Sequence, residues 1–333
     1  MAGPGATTPD ALRQVRRAVR GELSDLRSPE LVMVALSGGP DSLGLAAATA
    51  LEATRQPWRA GAVVVDHGLQ PGSAAVAERA AEQATGLGLS PVEVVAVTVA
   101  GGGGPEAAAR RARTSALESA AIRLEATAVL LGHTLDDQAE TVLLGLARGS
   151  GARSLAGMPR RRGVFRRPLL GLRRSLVAAA CAESGLEPWS DPHNDDRTFT
   201  RSHVRADVVP TLVRALGDAV PAALARTADR LREDDEALSE WAAALHGDLL
   251  QPEGGLDAAA LARVPTAVRA RVLRLAALQA GVPGGSLTTT HLHAMDALVS
   301  RWHGQGEVAL PGRVVAGRRC GRLYLGQARD VDS

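Results

Sequence analysis

The sequence contains no lysine, so all 38 of its basic residues are arginines. A nucleotide-kinase phosphate loop, G-x-x-x-x-G-K-[ST], needs a lysine and is therefore excluded. A chain rich in Ala, Arg and Gly but without Lys also indicates GC-rich coding. The net charge of +2 is small. Any nucleic-acid-binding surface must therefore be a local patch rather than a property of the whole chain.

Cysteines and aromatic residues are also scarce. The two cysteines, Cys181 and Cys320, lie far apart and form no C-x-x-C pair, which argues against a disulfide framework or a zinc ribbon. We therefore expect a reducing, cytoplasmic compartment. Aromatic residues make up only 2% of the chain, so its cores must be built from Ala, Leu and Val. No stretch approaches the ~20 apolar residues of a membrane span, and we expect no membrane contact.

The length of 333 residues favours two domains. Short apolar runs at 31–36, 61–66, 92–97 and 128–131 alternate with helical patterns, which predicts an α/β domain with a doubly wound parallel sheet. After about residue 210 the pattern becomes mainly helical, with short alternating runs at the end of the chain. We place the first domain at residues 1–216. A smaller, mainly helical domain with a short β tail follows at 217–333.

A glycine-rich turn follows the first predicted strand and leads into a helix. Its six residues are Ser37, Gly38, Gly39, Pro40, Asp41 and Ser42. Backbone N–H groups and the positive end of a helix dipole then point at one place, which suits phosphate. The two glycines lack the spacing of the dinucleotide fingerprint. The S-G-G-x-D-S pattern resembles the PP-loop of ATP pyrophosphatases, enzymes that split ATP into AMP and pyrophosphate. An ordinary strand-to-helix turn is the alternative.

Two further strand ends carry polar residues or glycine. Asp66 and His67 follow the second strand, and Gly132 and His133 follow the fourth. In parallel α/β sheets, ligands bind at the carboxyl ends of the strands. We therefore expect these residues and the glycine-rich turn to form one site.

An acidic helix is predicted to begin at His133. On such a helix, His133, Asp137 and Glu140 lie along one face, and Asp136 lies near the positive helix end. This pattern is compatible with a metal site, because His, Asp and Glu are all ligands. It is also compatible with a site for a cationic substrate group, or with a solvated helix start.

Together these motifs resemble the tRNA(Ile)-lysidine synthetases, in order and over residues 31 to about 210. The matching segments are S-G-G-P-D-S at 37–42, V-D-H-G at 65–68, E-x-x-A-R-x-x-R at 106–113, G-H-x-x-D-D-Q-A-E-T at 132–141, R-G-S-G at 148–151, L-x-G-M at 155–158, R-P-L-L at 167–170, Trp189 with Asp191 and Asn194, and F-x-R-x-x-x-R at 199–205.

The resemblance implies modification of the wobble cytidine of an isoleucine tRNA with a CAU anticodon. ATP adenylates the 2-carbonyl oxygen of the cytosine, and the ε-amine of free L-lysine displaces AMP to give lysidine. The loop 37–42 would hold the departing pyrophosphate, and Asp41 would hold Mg²⁺, which prefers oxygen ligands. Asp66, His67, Gly132 and His133 would contact ATP. The family is often dimeric, so a homodimer is an open alternative.

The lysine substrate poses a charge problem. Its ammonium group needs a carboxylate partner, which Asp137 and Glu140 can supply, but only the neutral amine can attack. With a pKa of about 10.4, the neutral amine costs roughly 4–5 kcal/mol at pH 7. Our hypothesis is that Asp137 positions the amine and takes its proton. Glu140 and Asp136 would hold substrate or Mg²⁺.

Five arginines are candidate substrate contacts: Arg110, Arg113, Arg148, Arg201 and Arg205. They could meet phosphate groups or tRNA, or simply form surface ion pairs. Arg205 is expected to bind tRNA in a salt-dependent way. The dense basic runs at 160–162 and 166–167 are candidates for the anticodon-stem backbone, with a solvated loop as the alternative.

Three alternatives compete with this function. A tRNA 2-thiolating enzyme with the same loop would need cysteines to carry sulfur or to ligate an iron–sulfur cluster. An amidating ligase would need an ammonia source, and nothing in the sequence resembles a glutaminase domain. A nucleotide- or RNA-binding module without turnover would not need both the intact loop and the acidic helix.

Overall fold

The computed structural model describes residues 10–68, 72–98, 105–149, 151–190, 197, 199–252 and 254–328, without the side chains of 105–107. The chain forms two compact units, which divide between Leu231 and Arg232. The division lies inside a long helix, α10 (Val220–Leu249). The boundary expected from sequence, after Leu216, lies at the end of the helix before it.

A six-stranded sheet forms the centre of the first unit. Its strands are β1 (Leu31–Leu36), β2 (Arg59–Asp66), β3 (Val92–Ala96), β4 (Ala126–Leu130), β5 (Arg161–Arg162) and β6 (Phe165–Arg166). The strand order is β3-β2-β1-β4-β6-β5. Strands β3, β2, β1, β4 and β6 pair in parallel, and β5 is antiparallel to β6. This confirms the predicted parallel sheet.

Helices connect the strands. They are α1 (Ala11–Glu22), α2 (Pro40–Ala53), α3 (Ser73–Gly86), α4 (Pro105–Arg123), α5 (Leu135–Ala147), α6 (Ala152–Leu155), α7 (Arg174–Glu183), α8 (Thr200–His203) and α9 (Val209–Leu216). A 3₁₀ turn covers Pro168–Gly171, and a π-helical turn, Val204–Val208, joins α8 to α9.

Strand β1 is buried on both faces, as its unbroken apolar sequence predicts. Val32, Val34 and Leu36 pack into a core shared with α1, α2, α3 and α7. Met33 and Ala35 pack on the opposite face into a core shared with α4. Helices therefore cover both faces of the sheet, which is the doubly wound arrangement.

The strand order reverses between β1 and β4. Chain connections leave β1 toward β2 and β3 on one side and return to β4 on the other. Such a switch point leaves a crevice at the carboxyl ends of the two strands, where ligands bind in open α/β sheets. The glycine-rich loop follows β1 and the acidic helix follows β4, so both open onto this crevice.

Much of the basic run at 160–167 is paired with acidic groups rather than left for nucleic acid. Arg166 donates to Asp25 Oδ1 at 2.6 Å, and Arg161 donates to Glu22 Oε1 at 2.6 Å and Asp25 Oδ2 at 3.0 Å. Only 11% of the Arg166 side chain is exposed. For these two arginines the expected contact with the anticodon-stem backbone is not supported.

The second unit has its own core and an antiparallel sheet. Its elements are β7 (Leu256–Asp257), α11 (Ala258–Ala262), α12 (Thr266–Gln279), α13 (Thr289–Ser300), β8 (Val308–Leu310), β9 (Val314–Arg319) and β10 (Arg322–Gln327). The strand order is β7-β10-β9-β8. Helices α12 and α13 pack against it through Val272, Met295 and Leu298. The predicted helical domain with a β tail is confirmed, and β7 adds a strand that the sequence pattern did not predict.

Within the described residues, no single helix is both long and apolar enough to cross a membrane. Two consecutive helical stretches, Thr200–Leu216 and Val220–Leu249, are long and apolar enough only when they are taken together, and they are bent by 101° relative to each other.

Asp25→Asn tests the ion pair beneath the basic run. The hydrogen bond from Arg166 lowers the pKa of Asp25 to about 2, against 3.8 for the free side chain. A lowered pKa stabilises the fold above pH 4, and this stabilisation is lost as the pH falls toward 2. Because Asp25 is 47% exposed, we expect a loss of only about 1 kcal/mol at pH 7.

Urea unfolding at pH 7 and near pH 2 measures this difference, which should vanish at the lower pH. Glu93→Gln is the matched control, because Glu93 pairs with Arg123, more than half of whose side chain is exposed. An equal loss at both pH values would contradict the assignment.

Candidate active site

The loop between β1 and α2 is held by its own serines. Ser42 Oγ donates to the Gly39 carbonyl at 2.9 Å. It also lies 3.2 Å from the Ser37 nitrogen and 3.2 Å from Ser37 Oγ. Gly39 precedes α2, and Pro40 opens the helix, where its missing N–H costs nothing. These bonds fix the loop at the amino end of α2, where N–H groups of the first turn face outward.

Two glycines let neighbouring chain segments approach this loop. Gly38 has φ +77°, a conformation that suits glycine, and its carbonyl accepts a bond from the Trp189 N–H at 2.9 Å. A Cβ on Gly132 would lie 3.2 Å from both the Asp41 carbonyl and the Ser42 nitrogen. The end of β4 is therefore packed directly against the loop that follows β1.

Asp41 has one engaged and one unengaged carboxylate oxygen. Its Oδ2 accepts a bond from Arg174 Nε at 3.3 Å, while Oδ1 is buried and has no partner within the described part of the chain. Burial raises the pKa of Asp41 to about 6, although the charge of Arg174 opposes this rise. A buried carboxylate oxygen without a partner is costly unless a donor or cation meets it.

The acidic helix begins later than predicted. Thr134 is the N-cap of α5, and Leu135 is its first residue, so His133 lies before the helix. The expectation that His133 shares a helical face with Asp137 and Glu140 is wrong. The cause is a capping box: Asp137 Oδ2 accepts bonds from the Thr134 nitrogen at 2.8 Å and from Thr134 Oγ1 at 2.7 Å.

Asp137 is buried and fully engaged. Its Oδ1 accepts bonds from Arg174 Nη2 at 2.8 Å and from Arg205 Nη2 at 3.2 Å. Burial alone would raise the pKa of Asp137, but the charge of Arg174 and the bonds from Thr134 outweigh burial and hold this pKa below its usual value. Such a carboxylate is a weak proton acceptor, which favours positioning over proton transfer as its role.

Glu140 is the most buried carboxylate of the site, with 2% of its side chain exposed. It accepts bonds from Arg174 Nη1 at 3.2 Å, Arg205 Nε at 2.8 Å and Arg201 Nε at 3.2 Å. Arg201 and Arg205 lie on either side of the start of the π-helical turn. Their contacts favour fixing the carboxylates over binding tRNA phosphates.

Arg174 connects the two halves of the site, and our sequence analysis did not identify it. It contacts Asp41 on α2 and both Asp137 and Glu140 on α5. The only signal in the sequence was its place four residues after the end of the R-P-L-L segment. We refer below to these four residues, with Arg201 and Arg205, as the ionic cluster.

Asp136 makes different contacts from Asp137. Its Oδ2 accepts a bond from the Arg174 backbone nitrogen at 2.7 Å, and its carboxylate pairs with Arg173 at 3.1 Å. Arg174 is the first residue of α7, so Asp136 satisfies an N–H of that helix. Its expected role in holding substrate or Mg²⁺ stays a prediction, and these contacts favour a structural role.

A cavity of about 910 Å³ lies beside the ionic cluster. Its basic lining residues are His67, Arg110, Arg111, Arg113, His133, Arg162, Arg167 and Arg201. Burial lowers the pKa of His133 to about 3, so this side chain is neutral. Burial and the neighbouring charges of Arg110 and Arg162 lower the pKa of Arg167 to about 10. The six arginines of this lining, of which Arg167 is buried, give the cavity a positive charge that suits an anionic ligand.

The structure thus brings most of the predicted site residues together, but not all. Arg110, Arg113, His67 and His133 line the cavity, and Asp66 accepts a bond from the Gly68 N–H at 3.0 Å at the end of β2. Arg148 follows the last turn of α5, three turns from Asp137, and is exposed. Of the motif residues, Ser150, Asp191, Asn194 and the side chain of Glu106 lie outside the described residues.

Gln138 explains the L-x-G-M motif. Its side-chain amide donates to the Met158 carbonyl at 2.8 Å and accepts from the Met158 nitrogen at 2.7 Å. Gly157 has φ +63°, and a Cβ there would lie 2.6 Å from Gln138 Oε1. The motif therefore ties α6 to α5 rather than supplying a ligand.

Comparison with known proteins agrees with this geometry. The PP-loop domain family matches residues 11–212, and the TilS substrate binding domain matches residues 256–324. A tRNA(Ile)-lysidine synthase from Thermobifida fusca is 54% identical over 98% of both chains. One from Streptomyces coelicolor is 53% identical over 91% of this chain and 87% of its own. The chain belongs to the tRNA(Ile)-lysidine synthase family.

Membership of this family, with its PP-loop domain, implies that the protein uses ATP. The fold is also similar to that of the U34-tRNA thiolase NcsA from Methanococcus maripaludis, with a TM-score of 0.57 and 19% identity. The match covers 67% of this chain and 80% of the thiolase. At this identity the likeness shows the fold alone.

Gly132→Ala tests the close packing of β4 against the loop. The added Cβ would meet loop backbone at 3.2 Å, and overpacking of this kind costs about 1–3 kcal/mol. We expect ATP affinity, measured by equilibrium dialysis, to fall by about tenfold. Gly86→Ala is the control, since a Cβ there meets nothing within 4 Å. Unchanged ATP affinity in Gly132→Ala would contradict the role of this contact.

Proposed function

We propose that this protein joins lysine to the 2-position of the wobble cytidine of a tRNA(Ile) with a CAU anticodon. The products are lysidine, AMP and pyrophosphate, and the cytidine is adenylated first. The observation that carries the proposal is the contact of Arg174 with Asp41, Asp137 and Glu140. It joins a phosphate loop to an acidic helix start within one site, in a chain of the lysidine synthase family.

The first half-reaction would occur at the loop. Its backbone N–H groups and the amino end of α2 suit the pyrophosphate that leaves when the cytosine oxygen attacks ATP. Asp66 and His67, at the neighbouring end of β2, would lie near the adenosine, and Gly132 keeps β4 close to the loop.

The donor set at Asp41 fits Mg²⁺. Its buried Oδ1 lacks a partner within the described residues and is the kind of hard oxygen ligand that Mg²⁺ takes, usually one or two carboxylates with substrate phosphates and water. When bound, Mg²⁺ would neutralise charge on the phosphate oxygens.

The second half-reaction would occur at the start of α5. Asp137 and Glu140 would position the ε-amine of lysine, and Asp136 would hold the helix α7 that carries Arg174. The arginine-lined cavity would receive phosphate or nucleotide groups of ATP or tRNA through Arg110, Arg113 and the neighbouring basic residues. The neutral His133 would then act as a hydrogen-bonding contact rather than as a charged group.

The rest of the chain would serve the tRNA. We propose that residues 256–324, which match a substrate binding domain, contribute to tRNA binding. The substrate implies that the enzyme works in the cytoplasm. A homodimer is compatible with the proposal, and Arg148, exposed at the far end of α5, would then act at the tRNA surface rather than in the ionic cluster.

A thiolase activity is not favoured. A cluster of the [4Fe–4S] type is held by cysteines, and this chain has two, Cys181 and Cys320. These two cysteines are fewer than the four that hold such a cluster, and Cys181 is buried.

The central test incubates the protein with ATP, Mg²⁺, labelled lysine and unmodified tRNA(Ile). We expect AMP and pyrophosphate to form and label to enter the tRNA. Asp41→Asn should abolish both, because it removes the charge that would hold Mg²⁺, whereas Glu93→Gln, at a surface pair, should leave both intact. AMP formation without lysine incorporation would retain ATP chemistry and overturn the lysidine assignment.

Asp137→Asn separates the two half-reactions. An amide nitrogen at this position would face Arg174 or the N–H of Thr134, so the amine site should be disturbed while the loop is retained. We expect lysine transfer to fall at least about tenfold, while pyrophosphate release without lysine stays within a few-fold of wild type. Rapid-quench measurement of both steps checks this. Normal lysine transfer in the variant would exclude Asp137 from the amine site.

A further inference from the structure

The carboxylates of the ionic cluster carry no spare negative charge. Asp137 and Glu140 are contacted by three guanidinium groups, those of Arg174, Arg201 and Arg205. Arg174 also contacts Asp41. An ammonium group that entered the cluster would find every described carboxylate already paired.

Burial strengthens the interactions between the charges of the ionic cluster. The exposed fractions of the side chains are 2% for Glu140, 11% for Asp137 and 23% for Arg174. Charges in such surroundings interact more strongly than they do in water, because the effective dielectric constant is lower. An added positive charge is therefore disfavoured, whereas a neutral amine can still form hydrogen bonds with the same oxygens.

Arg174 is the residue that sets this balance. Unlike Arg201 and Arg205, it contacts carboxylates on both α2 and α5. Its backbone nitrogen is held by Asp136 at 2.7 Å, which fixes the start of α7 against α5. Arg174 is thus held both through its backbone nitrogen and through its guanidinium, between the loop proposed for ATP and the carboxylates proposed for the amine.

We propose that Arg174 is a positioning residue that compensates the charge of Asp137 and Glu140, so that the lysine ε-amine binds there in its neutral, nucleophilic form. This inference rests on the proposed function. It resolves the charge problem of the substrate without a general base, which the engaged Asp137 is poorly suited to be.

The ammonium releases one proton to solvent as it enters the cluster, which leaves a lone pair on nitrogen. That nitrogen forms a bond to C2 of the adenylated cytosine, the C2–O bond breaks, and AMP leaves with its electron pair. The second amine proton is lost after the attack. Arg174 exchanges no proton, because it acts only through the charge and position of the two carboxylates.

Removal of the guanidinium should have a distinctive kinetic effect. In Arg174→Ala, Asp137 and Glu140 face two arginines instead of three, so the positive charge that opposes an ammonium group there falls by one. The lysine ammonium should then bind more tightly but react more slowly, since it keeps its proton. We expect KM for lysine to fall several-fold and kcat for lysine transfer to fall at least about tenfold. A purely structural defect would raise KM.

The experiment uses the full chain with saturating ATP and tRNA and varies the amine. Lysine is compared with its analogue in which sulfur replaces the γ-methylene, whose side-chain amine is less basic. The kcat deficit of Arg174→Ala should shrink markedly with the analogue. Arg174→Lys, which keeps the charge, should recover kcat in part. Pyrophosphate release without lysine is measured in parallel, so that a defect in adenylation is recognised.

Arg16→Ala is the matched control. Arg16 pairs with the fully buried Glu52 at 2.8 Å in the same unit, so its loss should lower the unfolding temperature without altering KM or kcat per folded enzyme. A raised KM in Arg174→Ala, or an equal deficit with both amines, would overturn the inference. Failure of wild type to transfer either amine would instead overturn the proposed function.

Discussion

The site depends on the compensation of three carboxylates, the buried Asp137 and Glu140 and the partly buried Asp41, by three arginines. Uncompensated carboxylates at this depth would be protonated or would prevent folding, because burial of a charge without a partner is strongly unfavourable. Arg174 links the two sides of the site, because its ion pairs reach both the helix after β1 and the helix after β4. These contacts fix the position of the loop that suits ATP relative to the residues that suit an amine.

The sheet dictates where this cluster lies. Parallel strands β1 and β4 are neighbours although they are distant in sequence, and each ends in a residue set that faces the same crevice. Gly132 brings the two strand ends into backbone contact. The neighbouring cavity adds five arginines beyond Arg201, against one acid, Glu118, in its lining. The site therefore has two parts. The ionic cluster, where the charges are balanced, suits an amine, and the arginine-lined cavity, where positive charge is in excess, suits an anion.

The sequence was sufficient for features that depend on local order. The continuous apolar run of β1 and the glycines after it predicted the strand, the loop and the helix, because these are set by burial and backbone conformation within a few residues. The start of α5 was misplaced by two residues because Thr134 and Asp137 form a capping box. The partners of Arg174, Arg201 and Arg205 could not be predicted, since side chains of one type compete for carboxylates that only the tertiary fold brings within reach.

The adjacency of β1 and β4 also has a consequence for biosynthesis. The ribosome releases the glycine-rich loop early, but its packing partner at Gly132 follows about ninety residues later, and Arg205 later still. Contacts between such distant segments form late, because the loop between them must first be closed. A nascent chain therefore carries an ATP-type loop for much of its synthesis before any residue exists that could complete the site. The site can be complete only after Arg201 and Arg205 have been synthesised.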